Sequence, residues 1–110
     1  MDDRELIAAI AAGNSNALRE MYARHAGWLA TRLRTMLPAH AVEDVLQETF
    51  LAVWRGAGRY QGTGAVGGWL WGIARRQAAL WLRKHHRTDL ALDLAPEPSH
   101  AHDTANAAVI

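Results

Sequence analysis

The chain has 110 residues, 50% hydrophobic and 21% charged, which is enough for one small domain with a modest apolar core. It has no cysteine, which excludes disulfides and thiolate metal ligands, and no apolar run approaches the ~20 residues needed to cross a bilayer. Its net charge of +1 hides a segregation: residues 1–48 carry five basic and seven acidic side chains, residues 49–88 seven basic and none acidic, and residues 89–110 four acidic and none basic. A merely solvated face would mix signs, so the middle segment points to an anionic partner.

In chain order, Asp2 and Asp3 precede a short helical pattern with Leu6, Ile7 and Ile10 on one face. The opening MDDRELIAA is acidic and periodic, unlike a secretory signal, so a cytoplasmic location without membrane insertion is expected. Gly13 ends this helix, and Asn14-Ser15-Asn16 offers N-caps for the next. In the second helix Leu18, Met21, Tyr22, His25, Leu29, Leu33 and Met36 define a core stripe, and Pro38 limits its extent.

A third helix is predicted from near Ala41, with Val42, Val45, Leu46, Thr49, Phe50, Val53 and Ala57 on its apolar face. Its second stripe, Asp44, Gln47, Glu48, Leu51, Trp54 and Arg55, is mostly polar but interrupted by a leucine and a tryptophan. An aromatic anchor ringed by polar groups is how protein-binding hot spots are built; the alternative is that Trp54 folds back into the core.

Six glycines between Gly56 and Gly68 predict a loop over that whole stretch, with Tyr60, Gln61 and Thr63 as the side chains in it able to stack or hydrogen-bond. The fourth helix is expected from about Gly68 to His86. Leu70, Ile73, Ala74, Gln77 and Trp81 form its buried stripe, and Arg75, Arg76, Arg83, Lys84 and Arg87 lie on its flanks. Trp69 and Trp71 point to different sides, so at least one should be exposed. Residues 49–88 hold four of the five tryptophans, and cations interleaved with flat rings are the chemistry of a nucleic-acid surface, especially a single-stranded one. Domain boundaries are set at 1–87 for the helical unit and 88–110 for an acidic, Ala/Pro-containing linker or flexible tail. His100 and His102 lack a carboxylate shell, so no metal site is expected, and no catalytic grouping or cofactor motif stands out.

Asp44-Val45-Leu46-Gln47-Glu48-Thr49-Phe50, followed at a distance by Trp69-Leu70-Trp71-Gly72-Ile73-Ala74-Arg75, resembles region 2 of bacterial RNA polymerase sigma factors of the extracytoplasmic-function group. The resemblance covers roughly residues 5–87 and implies a compact all-α domain of four helices, non-enzymatic and without cofactor. It also implies that Asp44, Gln47, Glu48, Leu51 and Trp54 dock on the clamp helices of the polymerase β′ subunit. The loop and fourth helix would then bind the non-template strand of the minus-ten promoter element, with Tyr60, Gln61 and Thr63 in the loop and Trp69, Arg75, Arg76, Arg83 and Lys84 along the strand. An anti-sigma factor is a further implied partner.

Three positions depart from many relatives: Val66 stands where they have Phe, Arg76 where they have Asn, and Leu80 where they have Asp. Leu80 is read as packing in place of a polar network. Nothing after Thr88 matches the family's second, minus-35-reading domain, so a fragment ending in an interdomain linker is expected. The alternative is a truncated protein-interaction module that binds an anti-sigma factor or polymerase without engaging DNA. A third possibility is that the acidic tail lies over Arg75 to Arg87 and inhibits the domain.

Overall fold

The computed structural model describes residues 1–93, with side chains through His86. It contains four α-helices, α1 (Asp3–Ala11), α2 (Ser15–Leu33), α3 (Ala39–Gly56) and α4 (Val66–Asp93), and a short 3₁₀ turn (Ala57–Arg59) after α3. There is no strand among the described residues, and the class is all-α, as the sequence predicts. No helix among them is long and apolar enough to cross a membrane.

The helix ends follow local chemistry. Asp2 accepts the Glu5 N–H at 2.8 Å while the Glu5 carboxylate accepts the Asp2 N–H at 2.7 Å, a reciprocal box that satisfies two otherwise orphaned donors. The helix stops at Ala12, and Gly13 turns the chain with φ of +92°. Asn14 Oδ1 then accepts from the N–H groups of Asn16 and Ala17, at 2.9 and 3.1 Å, and starts α2. Pro38, extended at the N-cap position, leads straight into α3, which begins at Ala39 rather than Ala41.

The predicted apolar faces of α1 and α3 are buried in full. Leu6, Ile7 and Ile10 meet Met21, Leu29 and Leu33 of α2, Val42, Val45, Leu46, Phe50 and Val53 of α3, and Leu70, Ala74 and Ala78 of α4 in one core. Thr49, also fully buried, returns its hydroxyl to the Val45 carbonyl at 2.7 Å, which leaves its methyl to pack. Tyr22 sits at the exposed edge of the α2 stripe, its ring edge-on to Phe50 at 4.9 Å.

Helix α4 departs from expectation at both ends. It starts at Val66, so the glycine-rich loop shrinks to residues 60–65, with Gly56 ending α3 and Gly67 and Gly68 inside the first turn of α4. Glycine disfavours a helix by about 1 kcal/mol per residue, but burial of Val66 and Leu70 on either side of the pair offsets this. The helix also continues to Asp93 rather than stopping at His86. No glycine or proline interrupts the chain until Pro96, and Leu90, Ala91 and Leu92 are strong helix formers. Residues 94–110, including His100 and His102 and most of the acidic segment, lie outside the described residues.

Leu80 is 46% exposed and does not pack in the core as expected: it sits on the α3-facing flank of α4, off the line of Leu70, Ala74 and Ala78. Leu70→Ala is expected to destabilise the domain by about 2–5 kcal/mol, through lost transfer energy and a residual cavity. Leu80→Ala should change stability by less than about 0.5 kcal/mol. Urea unfolding followed by circular dichroism separates the two.

Candidate functional site

Burial of one face of α3 presents the other. Asp44, Gln47, Glu48, Leu51, Trp54 and Arg55 are all exposed, with Leu51 at 40% and Trp54 at 38% of their surface. Trp54 therefore does not fold back into the core. Its ring and the Leu51 side chain form an apolar end to a stripe whose other end is acidic. At that acidic end a groove of about 430 Å³ runs between α3 and α4, lined by Asp44, Gln47 and Glu48 on one wall and by Leu80, Trp81 and Lys84 on the other. Lys84, grouped with the arginines on sequence grounds, thus shares a groove with the α3 acids.

The loop at 60–65 is shaped by two glycines. Gly62 and Gly64 both adopt φ of +74°, a left-handed conformation in which any other L-residue is strained. The Arg4 guanidinium, from α1, donates to the Gly64 carbonyl at 2.9 Å and ties the loop down across the domain. Gln61 and Thr63 are exposed, so the loop presents two of its three predicted side chains. Tyr60 turns inward: its ring meets Trp69 edge-on at 5.0 Å, and its hydroxyl is buried without a hydrogen-bond partner.

Neither Trp69 nor Trp71 is fully exposed, contrary to expectation; each is half-buried on a different flank of α4. Trp69 borders a cavity of about 440 Å³ together with Arg59, Ile73, Arg76 and Gln77. Trp71 faces α2, where the Arg32 guanidinium lies 5.0 Å from its ring centre. Arg75, Arg76 and Arg83 are exposed.

The structure therefore joins Trp69 and Arg76 around one cavity, separates them from Arg75 on the other side of α4, and places Lys84 with the acidic stripe. The ion pairs of Arg24 with Asp3 and Glu20, and the hydrogen bond between His25 and Asp3, leave the basic flanks untouched. No carboxylate among the described residues lies within pairing distance of Arg59, Arg75, Arg76 or Arg83. Cations left unneutralised while still solvated are available to an external anion. No three His, Asp or Glu side chains among the described residues are grouped as metal ligands.

Sequence reasoning missed Arg59, Arg4 and Arg32. Arg59 adjoins Tyr60 within the basic span and was open to detection there. The roles of Arg4 and Arg32 depend on contacts between elements distant in the chain, which no local pattern carries.

Residues 21–88 match the sigma-70 region 2 family. Over 72 residues the chain is also 36% identical to the RNA polymerase sigma factor CnrH of Cupriavidus metallidurans, an alignment covering 64% of this chain and 38% of that protein. The family match takes in most of α2, all of α3, the loop and most of α4, which are the elements that carry both surfaces.

Tyr60→Phe removes a buried hydroxyl that has no partner. It should leave stability unchanged or raise it by about 1 kcal/mol, since such a group bears an uncompensated desolvation cost. A rise in the urea midpoint or no shift is the expected result; a marked fall would place a partner on the hydroxyl.

Proposed function

Because the chain belongs to the sigma-70 region 2 family and is of the extracytoplasmic-function type, we propose that this transcription-initiation domain docks on core RNA polymerase through α3 and holds the melted minus-ten element through the loop and α4. The observation that carries this reading is the division of its surface: an acidic stripe ending in Leu51 and Trp54 on α3, and unneutralised arginines around a half-buried tryptophan on α4.

The α3 stripe suits a helical partner such as the β′ clamp helices. Asp44 and Glu48 would meet cationic side chains at its polar end, and Trp54 is the anchor whose burial supplies most of the affinity. The same apolar end, Leu51 and Trp54, is the part of α3 that an anti-sigma factor would have to cover in order to block polymerase docking.

On the DNA side no covalent step is needed. The domain has to bind the open non-template strand better than the duplex, and stacking is worth roughly 1–3 kcal/mol per base against a few kcal/mol for each base drawn out of the helix. Arg59 and Arg76 would hold the backbone of that strand at the cavity beside Trp69. Gln61 and Thr63 would offer hydrogen bonds to an extruded base, within a loop held by Arg4. Tyr60 acts from behind, by supporting the Trp69 ring. A module that engages only polymerase or an anti-sigma factor would need the α3 stripe alone and would leave the basic flanks without a role.

Two measurements separate the surfaces. Trp54→Ala should weaken binding to core polymerase about thirtyfold, the effect of losing a hot spot of roughly 2 kcal/mol, while Arg76→Ala leaves that binding unchanged. Undiminished affinity of Trp54→Ala on a polymerase-coated sensor would remove the docking assignment. In anisotropy titrations with a minus-ten single strand, Arg76→Ala should weaken binding and lower the slope of log affinity against log salt by about 0.7, the value for one phosphate contact on a single strand. A slope equal to that of the unaltered chain would remove Arg76 from the DNA surface.

A further inference from the structure

The flank of α4 opposite the Trp69 cavity carries an arrangement that the reading above does not use. Arg32, on α2, lies with its guanidinium 5.7 Å from the Trp28 ring centre and 5.0 Å from that of Trp71. Two indoles from different helices thus hold one planar cation, which is itself exposed. No carboxylate among the described residues pairs with it. Arg75 follows Trp71 by one helical turn and so extends the same flank.

The clamp is fixed from behind. The Trp28 indole N–H donates to His25 Nδ1 at 2.9 Å, and His25 Nε2 is 2.9 Å from Asp3 Oδ2. With Nδ1 accepting from Trp28, the imidazole proton sits on Nε2 and is donated to Asp3. A relay from α1 therefore orients Trp28, which in turn orients Arg32. A guanidinium already held flat loses little further freedom when its N–H groups engage an oxyanion.

We propose that Arg32, laid across Trp28 and Trp71, is a second nucleic-acid contact of this domain, one that grips a backbone phosphate of duplex DNA on the α2–α4 flank. The proposal rests on the nucleic-acid reading of the Trp69 flank. Both indoles are half-buried and share the guanidinium between them, so the contact presents fixed N–H donors rather than an open stacking platform. Donors of this kind bind phosphate, independent of sequence. The two basic flanks lie on different sides of α4, a helix about 10 Å across, one toward α3 and the other toward α2, so a phosphate contact on each suits two backbones rather than one. A duplex, whose backbones are separated by a groove of about 12 Å, can set one strand against each flank. The domain would then hold the edge of the double-stranded DNA as well as the melted strand.

A solely structural role for Arg32, shielding the two tryptophans with its stem, predicts a different outcome. The full chain is titrated by anisotropy, over a salt series, with a labelled duplex and with the single strand of the same sequence. Arg32→Met keeps an apolar stem over the rings but removes the charge; Arg32→Lys keeps the charge but not the plane. The result expected for Arg32→Met is several-fold weaker duplex binding, a salt slope smaller by about one, and single-strand affinity unchanged. Arg32→Lys should recover only part of the duplex affinity, and neither variant should lower the melting temperature enough to unfold the domain during the titration. The clamp is overturned if Arg32→Met binds the duplex with unaltered affinity and slope, or loses duplex and single strand equally without a change of slope. An unaltered chain that holds the single strand but not the duplex also overturns it and leaves the Trp69 reading standing, whereas one that holds neither removes both.

Discussion

The packing of α3 against α4 sets the geometry of the acidic groove and of the Trp69 cavity. Helix α4 offers Leu70, Ala74 and Ala78 to the core, and the two alanines let it lie close to α3. Close approach leaves a groove at the α3 acids and a cavity beside Trp69, both walled by the same two helices. It also fixes which way the unburied residues face. Helix α3 is left with a single exposed stripe, whereas α4, buried along its core line and half-covered beside it, keeps two separate basic flanks.

Charge follows the same partition. In the amino-terminal half Arg24 and His25 are held by Asp3, and Glu20 also reaches Arg24, so these groups contribute to local order rather than to an external field. Along the 3₁₀ turn and α4 the described arginines have no carboxylate neighbours. Surface pairs of the first kind contribute little stability, typically well under 1 kcal/mol. Unpaired cations of the second kind are costly only when crowded and gain most when an anion arrives. The helical body thus separates groups that stabilise it from groups left available for a partner.

Several expectations failed for one shared reason. The glycine density between Gly56 and Gly68 reads as a long loop because local preference is all that spacing can report, yet burial of Val66 and Leu70 draws Gly67 and Gly68 into a helix. Trp69 and Trp71 do face different ways, but Tyr60 and α2 each supply cover that the helix period cannot foresee. Leu80 is as apolar as Leu70, and only its angle to α3 separates an exposed residue from a buried one. Tyr60 adjoins the exposed Gln61 but packs inward, with its hydroxyl unsatisfied.

By itself the sequence determined the all-α class, the acidic start of α1 and the N-cap region of α2, the buried face of α3, and the family to which the chain belongs. Each of these depends on periodicity, capping chemistry or motif spacing, which are properties of residues near one another in the chain. The tertiary structure alone decided which rings remain half-open, which arginines share a surface, that Arg4 ties down the loop, and that Arg32 spans two tryptophans. A helical pattern gives the direction of a side chain from its own axis. What stands in that direction is settled only when another element packs there.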